Sequence, residues 1–240
     1  MEQKFRYLTI VLIMAVFATA TTACFFTSGV SGNGKVVKEN REVKSFDAIK
    51  TGGAFDVYLK QGDKEELTIE ADENLMELIT TTVHGNTLII GTKKNIVDAD
   101  ELKLYITFKE LTKMDFSGAV EVESVGELSF DELLIKGSGV SEINLDLTAN
   151  NLECNFSGAS EIGLSGHADH CSMKCSGAAE LDAEDFVVRE YDIDISGAGE
   201  GDIRCTEILK ASVSGAASVK YHGDPKVDAN VSGAGSISKN

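Results

Sequence analysis

The sequence predicts an all-β fold of stacked parallel strands, a parallel β-helix, and three observations carry that expectation. First, the tripeptide Ser-Gly-Ala recurs almost unchanged: Ser117-Gly118-Ala119, Ser138-Gly139-Val140, Ser157-Gly158-Ala159, Ser176-Gly177-Ala178, Ser196-Gly197-Ala198, Ser214-Gly215-Ala216 and Ser232-Gly233-Ala234. The serines step by 21, 19, 19, 20, 18 and 18 residues, and a near-constant period of that size marks structural units that stack on one another. Second, the residues flanking each triplet alternate between apolar and polar, which is the period of a half-buried strand. Third, a repeat of 18 to 21 residues with no helix-length segment leaves too little chain for a strand-helix crossover. Each strand must then pair with its own equivalent one repeat later, about 4.8 Å away. An antiparallel sandwich of short strands also predicts alternation and turns, but not a match of residue type between equivalent positions.

Taken in order, residues 1–23 read as a secretory signal. Lys4 and Arg6 make its basic start, Leu8 to Phe17 its apolar stretch, and Ala18 to Ala23 the small residues before a cut. The apolar run is too short to span a bilayer. Thr21-Thr22-Ala23-Cys24 resembles the lipobox of bacterial lipoproteins, with Thr21 in the place usually held by leucine. Cys24 is therefore the expected lipidation site, and the chain is expected to meet a membrane through that lipid. Residues 24–40 read as a lipidated tether, since Gly29, Ser31, Gly32 and Gly34 accompany few apolar side chains.

Residues 41–240 form the expected β-helical domain. Val43 to Gly62 looks like a first coil, with Gly53 aligned on Gly118, Ala54 on Ala119 and Asp56 on Glu121. An insertion follows. Leu67 to Glu70 alternates as a strand, and residues 72–80 are expected to form a short helix with Asp72 as its N-cap. Residues 81–109 are expected to be strands, with Gly85-Asn86 marking a hairpin. This mixed segment would cap the first coil and hide its backbone edge. At Asn240 nothing is left over for a second cap, so the last edge is expected to stand open or to pair with a second copy as a homodimer.

Within the repeats, the positions one, three and five before each serine are apolar except at Thr112 and Gly137, as are Val122, Ile143, Ile162, Leu181, Val219 and Ile237, five beyond it. The triplet is therefore a corner between two strands. The structural glycines Gly118, Gly139, Gly158, Gly177, Gly197, Gly215 and Gly233 are expected at positive φ, which glycine adopts without steric penalty. The serine hydroxyl is expected to satisfy a local backbone group, and the alanine to point inward where two walls converge. A third short segment, Leu147/Ala149/Leu152 or Phe186/Val188/Tyr191, closes the circuit.

Phe46-Asp47-Ala48-Ile49, Gly52-Gly53-Ala54-Phe55-Asp56-Val57, Asp72-Glu73-Asn74-Leu75 and the repeated Ser-Gly-Ala together resemble the putative auto-transporter adhesin head GIN domain family, over nearly the whole chain beyond the leader. The resemblance implies a right-handed β-helix, here of about seven coils, in a lipoprotein or secreted protein of Bacteroidetes-like bacteria. It carries no catalytic residues across.

Several constellations could carry chemistry. Glu121, Glu142, Glu161, Glu180 and Glu200 stand four residues beyond their serines and would form an outward column. Carboxylates about 4.8 Å apart repel, and adjacent ones could bridge Ca²⁺, although splayed, solvated glutamates account for the pattern as simply. Cys154, Cys171 and Cys175 all fall at inward positions, offset by one coil and two residues. That places their Cα atoms about 8 Å apart, beyond disulfide reach, so buried free thiols are expected. His167-Ala168-Asp169-His170 could offer metal ligands on a bend but has no evident fourth partner.

The net charge of −17, made one unit more acidic by loss of the leader, excludes the basic surface that nucleic-acid binding requires. The triplet serines repeat with the fold and lack a Gly-x-Ser-x-Gly elbow, so no catalytic residue and no cofactor is expected. The reading is a cell-envelope lipoprotein, anchored to a bacterial membrane, the outer one with periplasmic facing preferred. It is expected to act as a non-catalytic adhesion or binding module for a glycan or protein ligand. The alternatives are a lyase-like polysaccharide enzyme, which would need more basic side chains than these repeats supply, and a purely structural envelope protein.

Overall fold

The computed structural model describes residues 29–240; Cys24 and the leader lie outside the described residues. Among the described residues the fold is all-β. The strands are β1 (Val30–Ser31), β2 (Val36–Arg41), β3 (Ala48–Gln61), β4 (Glu66–Asp72), β5 (Ile79–His84), β6 (Thr87–Thr92), β7 (Ile96–Asp98), β8 (Leu102–Phe108), β9 (Lys113–Ser124), β10 (Leu128–His222), β11 (Lys226–Gly233) and β12 (Ser236–Lys239).

The 95-residue β10 is a continuous extended path that turns corners and pairs at both ends with equivalents of itself. Its start runs parallel to β9 with Ser138 opposite Ser117 and Gly139 opposite Gly118. Its end runs parallel to β11 with Ser214 opposite Ser232, and to β12 with Val219 opposite Ile237. On the other side β9 pairs with β3 in the register read from sequence, Gly53 on Gly118 and Asp56 on Glu121. The sheet order is β11-β10-β9-β3-β8-β4-β2, and the sheet is not closed.

The interior is one continuous apolar cluster. Phe116, Phe156, Cys175, Ile195 and Val213, each one residue before a serine, are buried, as are Val122, Ile143, Ile162, Leu181 and Val219 beyond it. Each such aliphatic or aromatic side chain contributes roughly 1.5–3 kcal/mol relative to exposure. Gly137 interrupts the first of these columns for a packing reason. A Cβ there would lie 2.4 Å from the Phe156 ring, which occupies the space.

The corner glycines all have positive φ, from +96° at Gly215 to +127° at Gly197. More restrictive is what lies beneath them. A Cβ on Gly118 would sit 2.3 Å from the Gly53 carbonyl oxygen, and one on Gly197 would sit 2.1 Å from that of Gly177. Each corner rests on the corner one repeat before, and only glycine leaves room for that approach.

The other two members of the triplet act differently from the sequence expectation. The alanines point out: Ala119, Ala159, Ala178 and Ala216 are exposed, and Val140 is 61% exposed. The inward place falls to the next residue, Val120, Ser141, Ser160, Ala179 and Ala217, because the positive-φ glycine keeps three successive residues on the outside. The serines bond across the stack instead of locally. Ser117 Oγ donates to Thr51 O at 3.3 Å, Ser176 Oγ to Phe156 O at 3.5 Å, and Ser196 Oγ to Cys175 O at 3.4 Å.

At the N-terminal end, the insertion covers the free edge of β3. β6 pairs with its first half and β8 with its second, both in parallel. β4 and β2 then extend the sheet in antiparallel fashion, and the Gly85-Asn86 hairpin joins β5 to β6. The helix expected over residues 72–80 is absent. Residues 73–78 are turns, held by Leu75 N–Asp72 O and Leu78 N–Leu75 O bonds of 2.9 Å. These i to i+3 bonds make turns rather than a sustained i to i+4 ladder.

Asp72, expected as its cap, bonds to distant chain instead. Its carboxylate is buried and accepts from Gly34 N at 2.6 Å and Asp100 N at 2.9 Å. This clamp also corrects the expected tether over 24–40. Val30–Ser31 pairs with β7 and Val36–Arg41 with β4, so the domain begins earlier than composition indicated. Arg41 adds bonds from its guanidinium to Ile79 O at 2.7 Å and Met76 O at 2.8 Å.

Candidate binding surface

Because the core takes every apolar wall, what the molecule offers a partner is its set of outward columns. The corner sends Ser, Gly and Ala outward, and alternation then places the acidic residue four beyond the serine on the same side. Glu142 pairs in register with Glu121, and Glu121 with Asp56. Val140, Ala159, Ala178 and Ala198 border Glu142, Glu161, Glu180 and Glu200 along a groove of about 650 Å³. The arrangement is an apolar strip of small side chains with a rail of carboxylates beside it.

The rail is electrostatically graded. At its N-terminal end the Glu121 carboxyl is pushed up, by partial burial first and then by the charges of Glu142, Asp56 and Glu123. At its C-terminal end Lys220 Nζ pairs with Glu200. Next to Glu121, Tyr58 stands opposite Glu123 on one side and Tyr105 on the other. The two rings stack with centroids 5.1 Å apart, Tyr105 O–H donates to Glu70 at 2.8 Å, and the Lys38 ammonium sits 5.1 Å over the Tyr105 ring. The bond to Glu70, with partial burial, pushes the Tyr105 phenol up to about 12. In sequence these tyrosines are 47 residues apart, and only the parallel pairing of the insertion onto the first repeat joins them.

The bend at His167 to His170 does not converge. Asp169 goes to Arg189 Nη1 at 3.1 Å, and Arg189 also grips Glu207 through Nε at 3.0 Å and Nη2 at 3.3 Å. His170 Nδ1 faces Glu190 at 3.3 Å. His167 and His170 line different clefts. These exposed ion pairs link neighbouring repeats and are largely screened by solvent.

Cys154, Cys171, Cys175 and Cys205 are buried and form no disulfide, in keeping with the inward register. Burial pushes the Cys171 thiol up to about 12 and the Cys175 thiol up to about 11, so they are poor nucleophiles near neutral pH.

Solved structures share this fold. The chain is similar to a putative adhesin from Bacteroides fragilis, with a TM-score of 0.83 at 26% identity over 88% of this chain and all of that one. It is similar to a putative lipid binding protein from Parabacteroides distasonis, with a TM-score of 0.71 at 24% identity over 88% of this chain and 99% of that one. A putative adhesin from Parabacteroides distasonis superposes with a TM-score of 0.72 at 22% identity, covering 89% of this chain and all of that one. No curated protein matches the chain. A family model described as putative auto-transporter adhesin, head GIN domain, matches residues 45–225, and the chain belongs to that family.

Proposed function

We propose that this chain is a cell-envelope lipoprotein whose domain, a right-handed parallel β-helix of about seven coils, acts as a non-catalytic binding module in adhesion. The observation that carries this reading is the groove along Val140, Ala159, Ala178 and Ala198 with its rail of glutamates. Side chains repeated at the strand spacing suit a ligand that itself repeats, such as a glycan or an extended polypeptide. The stacked Tyr58–Tyr105 pair at one end supplies an aromatic surface of the kind that tryptophan would otherwise provide. Neither nucleic acid nor anionic lipid suits a surface of this charge.

Membrane attachment is assigned to Cys24, at the expected outer membrane with the domain facing the periplasm. Incorporation of labelled palmitate into the full chain, and its loss in Cys24→Ser, tests the anchor. For the binding role, the soluble Cys24→Ser form is applied to glycan and envelope-protein arrays, with and without added Ca²⁺. Selective hits that weaken in Ala178→Glu, which blocks the groove from an exposed position, are the expected result. Release of unsaturated products from acidic polysaccharides, with no array hit, would overturn the reading in favour of a lyase.

A further inference from the structure

Beside the C-terminal end of the glutamate rail, Glu184, Asp202 and His222 converge from three successive repeats. Counted from the triplet serines, Glu184 and His222 occupy the same place two repeats apart, and Asp202 comes from the repeat between them. Each brings one ligand atom, and these atoms lie within 4.8 Å of one another. His222 Nε2 is 2.8 Å from Asp202 Oδ1 and 3.8 Å from Glu184 Oε2. Two ligands bound about 2.1 Å from a tetrahedral ion lie about 3.4 Å apart, so the spacing brackets that of a shared metal.

A separate observation concerns Asp202 Oδ1. It is shielded from solvent and has no hydrogen-bond partner, although His222 Nε2 lies 2.8 Å away. A carboxylate oxygen left that way is costly unless a cation sits against it. The cationic side chains nearby are otherwise engaged. Arg204 Nε donates to the Glu184 carbonyl oxygen at 2.7 Å, and Lys220 pairs with Glu200. The side-chain amide nitrogen of Asn240 lies 3.2 Å from the same His222 nitrogen.

We propose that Glu184, Asp202 and His222 bind one divalent transition metal of the Zn²⁺ class. One imidazole with two carboxylates suits a borderline cation of that kind, whereas Ca²⁺ favours an all-oxygen shell. The ion ties the last repeats together where the serine-to-serine step shortens to 18 residues.

The test titrates the full chain in its Cys24→Ser form with Zn²⁺ by calorimetry and with Co²⁺ as a visible-absorption probe. One equivalent of Zn²⁺ is expected, with a raised melting temperature. Affinity is expected to drop roughly tenfold or more in His222→Ala and in Glu184→Gln, the latter an exposed position that leaves the fold alone, and to hold in His167→Ala. No binding at millimolar Zn²⁺, or binding that persists at the same affinity in both His222→Ala and Glu184→Gln, would overturn the assignment.

Discussion

Replacing Gly158 by alanine separates two demands that the corner makes of its glycine. The first is conformational. Gly158 has φ +108°, and an L side chain in the left-handed region costs about 1–2 kcal/mol. The second is contact. The new Cβ would lie 2.2 Å from Gly139 O and 3.1 Å from Gly139 C, against an ordinary separation of about 3.5–4 Å. The two repeats must move apart by about 1 Å, weakening some two ladder hydrogen bonds of about 1 kcal/mol each. About 0.5 kcal/mol is regained because alanine restricts the unfolded chain, leaving a loss of about 3 kcal/mol. Gly126 is the internal control, with φ +83° and nothing within 4 Å of the point where an added methyl would stand, so Gly126→Ala carries only the conformational cost, about 1 kcal/mol. Urea unfolding of both variants, followed by far-ultraviolet circular dichroism, measures the difference. Equal losses would refute stacking of the corners as the reason for the triplet.

Two other perturbations follow from buried groups. Asp72→Ala leaves the Gly34 and Asp100 N–H groups without their acceptor and is expected to cost about 3 kcal/mol in urea unfolding. Burial pushes the Asp72 carboxyl up, but the N–H groups of Gly34, Asp100 and Glu101 outweigh it and hold it below 3.8. Its stabilisation is therefore present above that pH and lost as the pH falls below it; the variant should lose less stability on acidification than the parent, and identical acid profiles would count against the clamp. Cys171 works in the opposite sense. Burial raises its thiol from 9.0 to about 12, so its contribution is full below pH 9 and declines as the pH rises towards 12. The urea midpoint should fall above pH 9, and less steeply in Cys171→Ala; an unchanged slope would show that this thiol does not drive the alkaline loss.

The repeat register was legible because the same residue types return at the same places. Gly53 could be laid on Gly118, and the inward columns named, without coordinates. Small size suggests an inward alanine, although alternation through Phe116 and Val122 already puts position 119 outside. What alternation does not show is that the glycine lies outside as well, where its positive φ and the backbone carbonyl pressed beneath it place the corner. The turns at 73–78 carry a helix-like pattern of acids and leucines, but the chain there is bound from outside by contacts 28 and 38 residues away in sequence.

The candidate sites divide along the same line. The glutamate rail is periodic, and a periodic feature of a stacked chain can be read from a string of letters. The Tyr58–Tyr105 stack joins a repeat to the insertion, and the Glu184–Asp202–His222 cluster joins unlike residues from three repeats, so neither shows as a periodic pattern. By itself, the sequence determined which residues stack and which face inward along each strand, because both follow from local periodicity and residue size. The tertiary structure alone decided how the corners point and which unlike side chains meet across repeats, because those depend on backbone φ and on the path each side chain takes through space.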